Sequence, residues 1–243
     1  MIYSCHIIHS IIARPIGARN NHRENILASS TKRFWLVRHG MTQWNAQKRI
    51  MGQSDIPLSA KGRVQARWVA RQLRSREIAA IYASDLARTY ETARIIASHR
   101  TSPLSINASP AWRELNFGKW QGLTYAQIAA QYQDQLGFFS DPEHNAPTGG
   151  ESTAHLLQRV RAELVTVAQS QDWTAQGDVV IVSHSGALRM LLCDLLGIPL
   201  ARQWQLRLDA GSLSALNVSL GQEAHTLQVT LVLLNAHQST TRL

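Results

Sequence analysis

Two short apolar segments, each ending at a histidine, constrain the fold of this chain more than any other feature. The run Phe-Trp-Leu-Val at residues 34–37 leads into Arg38 and His39, and the run Val-Val-Ile-Val at residues 179–182 leads to His184. Four apolar residues in a row predict a strand that is buried on both faces. Because ligands bind at the carboxyl ends of parallel strands, we expect the two histidines to share one site.

Strand-like and helix-like segments alternate from residue 34 onward. Ser59 and Asp85 are the expected N-caps of the first two helices. Repeated strand-then-helix units predict an α/β fold, a three-layer sandwich with a mostly parallel central sheet, and no linker divides residues 33–243. The predicted helices lie at residues 59–74, 85–97, 124–132 and 151–170, and further strands at 79–82, 212–218 and 227–234.

The first 32 residues have a different composition. They mix Ile, His, Asn and Arg with a single acidic residue and show no sustained periodicity. We expect residues 1–32 to be a poorly ordered basic extension with no catalytic part, and a poor secretory signal because polar residues interrupt its apolar pieces. His6 and His9 lack further ligands nearby, so no metal site is expected there.

Charge and cysteine content exclude several classes of protein. The net charge is +9, but no aromatic-rich binding motif accompanies it, which favours a solvated surface plus an anion-binding cleft over a nucleic-acid surface. No apolar run approaches the length of a membrane span. Two isolated cysteines form neither a disulfide framework nor a zinc site, which predicts a reducing cytoplasm.

Two arginines lie close to the predicted strand ends. Arg38 offers a permanent planar donor fork that suits phosphate or carboxylate, and it makes the adjacent His39 hard to protonate, leaving a ring nitrogen free as a nucleophile. Arg88 falls in the first turn of a predicted helix and should lean back toward the same sheet edge. A cation there opposes the helix dipole, which is easier to understand if a bound anion compensates.

A segment rich in aromatic residues, residues 112–122, carries the candidate general acid Glu114. Its aromatics could wall a pocket and desolvate this carboxyl group, although a surface loop pinned by aromatics is the alternative. Asp85 is the rival carboxylate. Gly149 and Gly150 either bring backbone amides close to a substrate or form a plain turn before a helix.

Together these motifs resemble the histidine phosphatase superfamily, also called phosphoglycerate mutase-like. The matching segments follow the family order over about residues 33–234, with Ser185 standing where glycine is usual. They are Leu-Val-Arg-His-Gly at 36–40 with Asn45, Pro-Leu-Ser at 57–59, Ser-Asp-Leu at 84–86 with Arg88, Glu114 with residues 117–122, Gly-Gly-Glu-Ser at 149–152, and Val-Ser-His-Ser-Gly at 182–186.

The resemblance implies a phosphoglycerate mutase-like fold and a covalent route without metal or cofactor. His39 would attack the phosphoryl group and form a phosphohistidine, and Glu114 would protonate the leaving alkoxide and then activate water. The remaining implied site residues bind the phosphoryl oxygens or line the site: Arg38, Arg88, His184, Asn45 and Ser185.

Within the superfamily the likeness is closest to alpha-ribazole phosphatases of cobalamin biosynthesis and neighbouring broad-specificity phosphatases. The implied partner is a small-molecule phosphate ester, with no nucleic acid and no membrane, and a homodimer is left open. A cofactor-dependent phosphoglycerate mutase is the second interpretation, although the longer insertions of such mutases are absent. A catalytically dead binding module is the third, opposed by the presence of all five catalytic candidates.

Overall fold

A computed structural model describes residues 31–102, 104–221 and 226–238. Strands and helices alternate through most of the chain, with short 3-10 turns between them. The strands are β1 Lys32–Arg38, β2 Ile78–Ala83, β3 Ile106–Ala108, β4 Asp178–Ser183, β5 Leu213–Leu220 and β6 Leu227–Ala236. The helices are α1 Gln43–Ala46, α2 Ala60–Gln72, α3 Ala87–Ala97, α4 Tyr125–Gln131, α5 Thr153–Gln169 and α6 Ser185–Leu196.

The six strands form one sheet in the order β3-β2-β4-β1-β5-β6. The pairs β2 with β3, β2 with β4, and β1 with β4 are parallel, whereas β5 and β6 join in antiparallel orientation. The prediction of a mostly parallel α/β sheet is therefore confirmed. In the central pair Arg38 lies opposite Ser183, so both strands end at the same level.

Successive side chains of β1 enter two different cores. Phe34 and Leu36 pack in the core that α5 and α6 cover, whereas Trp35 and Val37 pack in the core beneath α2 and α3. Alternate residues of a strand point to opposite faces, so an unbroken apolar run is what a central strand covered on both faces requires. This confirms the predicted three layers.

Only one of the two predicted helix caps is correct. The Ser59 hydroxyl accepts from the Gly62 amide at 3.1 Å and starts α2. Asp85 is not an N-cap: α3 is preceded by Leu86, and its Ala87 amide donates instead to Asp55 at 2.7 Å. The Asp85 carboxylate instead accepts two hydrogen bonds from the guanidinium of Arg113. Hydrogen bonds between two charged groups are stronger than the bond that a backbone amide would donate to a capping carboxylate.

The described helices and strands differ from the predicted set in three further ways. The short β3 and α1 were not predicted, because three or four residues carry too little periodicity. Helix α6 was also missed, since its almost wholly apolar sequence shows no polar face.

Among the described residues, no helix combines the length and the apolar character that crossing a bilayer requires.

The predicted extension, residues 1–32, overlaps the sheet at Lys32, the first residue of β1. Residues 1–30, with His6 and His9, lie outside the described residues, whereas Lys32 opens β1 and donates from Nζ to the carbonyls of Ala175 and Gly177 at 2.8 and 3.2 Å. The boundary between extension and domain stays a prediction.

We predict that a shortened chain beginning at Thr31 keeps the thermal midpoint and catalytic efficiency of the full chain, because it retains β1 and every motif residue. A matched chain beginning at Phe34 loses the bonds of Lys32 and the 2.8 Å bond from Arg33 to Asn217. Its midpoint should fall by about 4 °C or more. Calorimetry of the three chains checks this, and an equal fall in both shortened chains would show that the extension packs on the domain.

Candidate active site

His39 is the first residue after β1 and is held from three sides. Its amide donates to the Ser183 carbonyl at 3.1 Å, and its own carbonyl accepts from the Gly211 amide at 2.9 Å. The buried ring places Nδ1 2.7 Å from the Gly40 carbonyl oxygen. A carbonyl only accepts, so Nδ1 carries the proton and Nε2 keeps a free lone pair.

His184 lies beside His39, as the two strand ends predict. It follows β4 directly and precedes the first residue of α6. The ring centres are 5.1 Å apart and the planes are inclined by 62°. The His184 ring is fully buried, and within the described part of the chain neither of its nitrogens has a hydrogen-bond partner. Both imidazoles therefore keep hydrogen-bonding capacity for a ligand.

Two guanidinium groups flank the histidines. Arg88 is fully buried and donates to the carbonyls of Ser54 and Gly52, both at 2.7 Å. Arg38 donates to the Leu208 carbonyl at 2.5 Å. The Nε of each is buried and unbonded, and neither arginine forms an ion pair, among the residues described. Carbonyl dipoles orient these cations, and the carboxylates of Glu114, Asp55 and Asp209 act on them without a direct ion pair, which leaves room for an anionic ligand.

Burial and these cations keep the two imidazoles neutral. Burial, then Arg88, then Arg38 lower the pKa of His39 well below its ordinary value of 6.5. Burial and Arg88 likewise lower the pKa of His184. Burial lowers the pKa of Arg38 and of Arg88 to about 10, so both remain charged at neutral pH. The centre combines neutral imidazoles with permanent cations.

The Glu114 side chain lies at the N-terminus of α6, where it contacts the second and third residues after His184. Its Oε2 accepts from the Gly186 amide at 2.9 Å, and its Oε1 accepts from the amides of Leu115 and Ala187 at 2.9 and 3.1 Å. These three amide donors surround the carboxylate with polar groups, whereas the sequence suggested mainly an apolar surrounding. A Cβ on Gly186 would lie 2.3 Å from Oε1, so this approach requires glycine.

The backbone around Glu114 is held by Arg159, which sequence reasoning missed. Arg159 donates to the carbonyls of Ala111, Arg113 and Glu114 at 2.7–2.9 Å. It also forms a two-pronged pair with Glu151 at 2.7 and 2.8 Å. The sequence did offer one indication of this role, because Arg159 lies beside the apolar face of α5. A charged residue at such a position needs a buried partner.

Asn45 and Ser185 are the remaining predicted residues. Asn45 accepts from the Thr42 amide through Oδ1 at 2.9 Å, which leaves its amide nitrogen free. With Arg38 it lines a cavity of about 350 Å³ whose rim also carries Lys61 and Arg207. Ser185 is half-buried at the start of α6.

The glycine pair before α5 has a packing role. A Cβ on Gly150 would lie 2.5 Å from the Asn116 carbonyl, and the Glu151 amide donates to that same carbonyl at 2.8 Å. The turn therefore fixes the segment that bears Glu114. The fully buried Trp112 and Trp120 anchor the same segment.

Within the described residues no cluster of three or more His, Cys, Asp or Glu could hold a metal ion, and the expected absence of a metal stays a prediction.

The fold and the site define an α/β protein with a histidine centre inside a cationic, anion-binding cleft. The chain belongs to the histidine phosphatase superfamily (branch 1), whose family model matches residues 34–229.

Three relatives illustrate the family around this chain. It is 31% identical over 198 residues to an adenosylcobalamin/alpha-ribazole phosphatase of Escherichia coli, covering 81% of this chain and 94% of the relative. It is 40% identical over 183 residues to a probable phosphoglycerate mutase of Yersinia enterocolitica, covering 74% of this chain and 82% of the relative. The structure of a mycobacterial glucosyl-3-phosphoglycerate phosphatase in complex with VO3 superposes on this chain with a TM-score of 0.74 at 34% identity. The match covers 84% of this chain and 99% of the other.

We predict that the neutral histidine pair makes stability pH-dependent. Below pH 6.5 the unfolded chain binds protons on both imidazoles and the native protein does not, so stability falls as the pH falls. At 1.4 kcal/mol per unit and group, the pair should account for about 2–3 kcal/mol of the loss between pH 7.5 and 5.5.

Urea unfolding of phosphate-free protein at the two pH values measures this loss. The double variant His39→Gln with His184→Gln should lose that much less on acidification, whereas His99→Gln, which removes an exposed imidazole, should follow the parent. An unchanged loss in the double variant would contradict the neutral pair.

Proposed function

We propose that this protein is a phosphomonoesterase that works through a phosphohistidine at His39. The observation that carries the proposal is the free Nε2 of a neutral, buried imidazole between two guanidinium groups without carboxylate partners. A neutral nitrogen is nucleophilic, and the cations stabilise the charge on the phosphoryl oxygens during transfer.

In the first step Nε2 of His39 attacks phosphorus in line, the nitrogen–phosphorus bond forms and the ester phosphorus–oxygen bond breaks. Arg38, Arg88, His184 and Asn45 bind the phosphoryl oxygens, with Ser185 beside them. Glu114 gives a proton to the leaving alkoxide. The proton balance of this step requires that Glu114 enters it protonated.

In the second step Glu114, now a carboxylate, removes a proton from water. The water oxygen attacks phosphorus, the bond to His39 breaks and inorganic phosphate leaves. The anchoring of Glu114 by α6 and by Arg159 supports both roles, because a group that acts first as acid and then as base must stay in one position.

The proposed substrates are alpha-ribazole phosphate or a broader set of small phosphate esters. The relative from Escherichia coli named as an alpha-ribazole phosphatase supports the first, and the relative named as a glucosyl-3-phosphoglycerate phosphatase supports a wider range. A phosphoglycerate mutase is the second candidate, favoured by the Yersinia relative. A panel assay of phosphate release from alpha-ribazole phosphate, sugar phosphates, phosphoglycerates and nucleotides discriminates between them.

The proposed setting is the cytoplasm, with neither membrane nor nucleic acid as partner. The buried, free thiol of Cys193 supports a reducing compartment. The homodimer stays a prediction.

We predict that His39→Ala lowers kcat at least about 10³-fold while the fold is kept, because the nucleophile is lost. Rapid quenching with ³²P-labelled substrate should label His39 in the parent protein. In His184→Ala the label, although weaker, should still be on His39. Label on His184, or no labelled histidine in the parent, would contradict the proposed nucleophile.

We predict that Glu114→Gln lowers kcat/KM for sugar phosphates far more than for p-nitrophenyl phosphate, by about 10²-fold or more, since an alkoxide needs a proton and nitrophenolate does not. The quantity compared is kcat/KM because it leaves out the later hydrolysis of the phosphohistidine, in which Glu114 would be the base for both substrates. The matched control is Asp85→Asn, which removes the rival carboxylate that pairs with Arg113. Its ratio between the two substrates should equal that of the parent. Equal losses on both substrates in Glu114→Gln would exclude general-acid catalysis by this residue.

A further inference from the structure

The loop before β5, residues 207–212, contacts the active site through its backbone. The Leu208 carbonyl accepts from Nη1 of Arg38 at 2.5 Å, and the Gly211 amide donates to the His39 carbonyl at 2.9 Å. The orientation of the proposed nucleophile and of one phosphoryl-binding cation therefore depends on where this loop lies.

Asp209 lies in the middle of this loop, and Asn235 binds it at two points. Asn235 Oδ1 accepts from the Asp209 amide at 2.6 Å, and Asn235 Nδ2 donates to Asp209 Oδ2 at 3.0 Å. One carboxamide thus holds both the backbone and the side chain of a single residue. The Asp209 carbonyl accepts from the Ser212 amide at 3.0 Å, so the residue that Asn235 holds is part of the turn that carries Leu208 and Gly211.

A β-bulge near the end of β6 directs Asn235 toward the loop. Between the pairs Ala215–Leu233 and Leu213–Ala236, β6 has one residue more than β5. Asn235 lies in this bulge with a φ of 58°, a left-handed conformation that asparagine adopts more readily than most residues with a side chain. Bulges turn a side chain out of its regular direction and are over-represented next to active sites. The backbone of the sheet therefore sets the direction of this carboxamide.

The backbone of the bulge is itself held on two sides. The Asn235 amide donates to Oγ of Ser214, a buried residue of β5, at 3.0 Å. The Asn235 carbonyl accepts from Nδ1 of His237 at 2.9 Å. A left-handed residue that bears a side chain persists where surrounding contacts determine its conformation, so Asn235 is a fixed point from which the loop can be held.

The other side-chain contacts of Asp209 are weaker. Arg207 pairs with Asp209 at 2.9 Å, but its side chain is 78% exposed and it belongs to the same loop. His237 Nδ1 lies 3.7 Å from Asp209 Oδ2, beyond hydrogen-bond distance. Because an exposed ion pair contributes little to stability, Asn235 is the main polar link from Asp209 to the sheet in the described part of the chain.

We propose that Asn235 is a positioning residue of the phosphoryl-transfer centre, which holds Asp209 so that the loop orients Arg38 and His39. The inference rests on the proposed phosphomonoesterase function. Phosphoryl transfer depends on the alignment of the nucleophile with phosphorus, and a small displacement of the aligned groups costs much of the rate. The link acts on the phosphoryl centre and not on Glu114, so its loss should affect good and poor leaving groups equally.

The first test removes the carboxamide without straining the backbone, because glycine adopts a φ of 58° freely. Asn235→Gly should lower kcat/KM about 10–100-fold, and by the same factor for p-nitrophenyl phosphate and glycerol 3-phosphate. The inhibition constant of inorganic phosphate should rise less than about fivefold, because Arg88 and His184 still bind the anion. An equal loss in kcat/KM and in phosphate affinity would show a defect of anion binding rather than of alignment, and would contradict the proposal.

The second test exchanges donor and acceptor between the two side chains. Asn235→Asp alone sets two carboxylates against each other and should lower kcat/KM at least as much as Asn235→Gly. Adding Asp209→Asn supplies an amide donor on the loop for the new carboxylate on β6. The double variant should recover kcat/KM to within about fivefold of the parent, which a change in general stability does not predict. A double variant no more active than Asn235→Asp would overturn the proposal.

The matched control is Asn217→Ala, which removes the 2.8 Å bond from Arg33 farther along β5. It should lower the thermal midpoint about as much as Asn235→Gly but keep kcat/KM within about twofold of the parent. An equal loss of kcat/KM in this control would show that the stability of the strand pair alone explains the effect.

The same assays separate failure of this inference from failure of the proposed function. A parent protein that hydrolyses neither ester would refute the phosphomonoesterase function itself. An active parent whose Asn235→Gly variant keeps full kcat/KM on both esters would refute only the role of Asn235.

Discussion

The parallel pairing of β1 with β4 is the constraint on which the rest of the site depends. Its register sets Arg38 opposite Ser183, so the chain leaves both strands at one level and His39 meets His184 at 5.1 Å between ring centres. The backbone bond from His39 to Ser183 extends the pairing one step beyond the sheet. Because both strands are covered on two faces, a shift in register would move whole rows of buried side chains, so the histidine geometry has the rigidity of the core.

Among the described residues, no carboxylate forms an ion pair with either arginine beside the two histidines. Carbonyls of Gly52, Ser54 and Leu208 orient Arg88 and Arg38 without neutralising them, and these cations help to keep the imidazoles unprotonated. The free protein therefore holds interior positive charge that Glu114, Asp55 and Asp209 balance only in part, at a cost in stability. In the proposed reaction an arriving phosphate dianion would reduce that cost, so affinity for the substrate and the nucleophilicity of His39 would have the same origin.

The proposed general acid, Glu114, depends on a second, separate set of contacts. Glu114 meets the first turn of α6 only because Gly186 has no side chain and because Arg159 holds the carbonyl side of its loop. Helix α6 thus links two parts of the site: it begins directly after His184, and its first amides bind Glu114. Movement of this helix would displace His184 and Glu114 together.

The sequence by itself determined the α/β sandwich, the meeting of His39 with His184 and the approach of Arg88 to the same edge, because apolar runs and strand ends are local signals. The tertiary structure alone decided that Asp85 pairs with Arg113 rather than capping α3, that Arg159 supports Glu114, and that Asn235 binds Asp209. These partners lie between 26 and 45 residues apart along the chain, and no periodicity encodes which of many carboxylates or carbonyls a given guanidinium or amide will reach. That choice depends on how the helices pack on the sheet, which only the assembled core fixes.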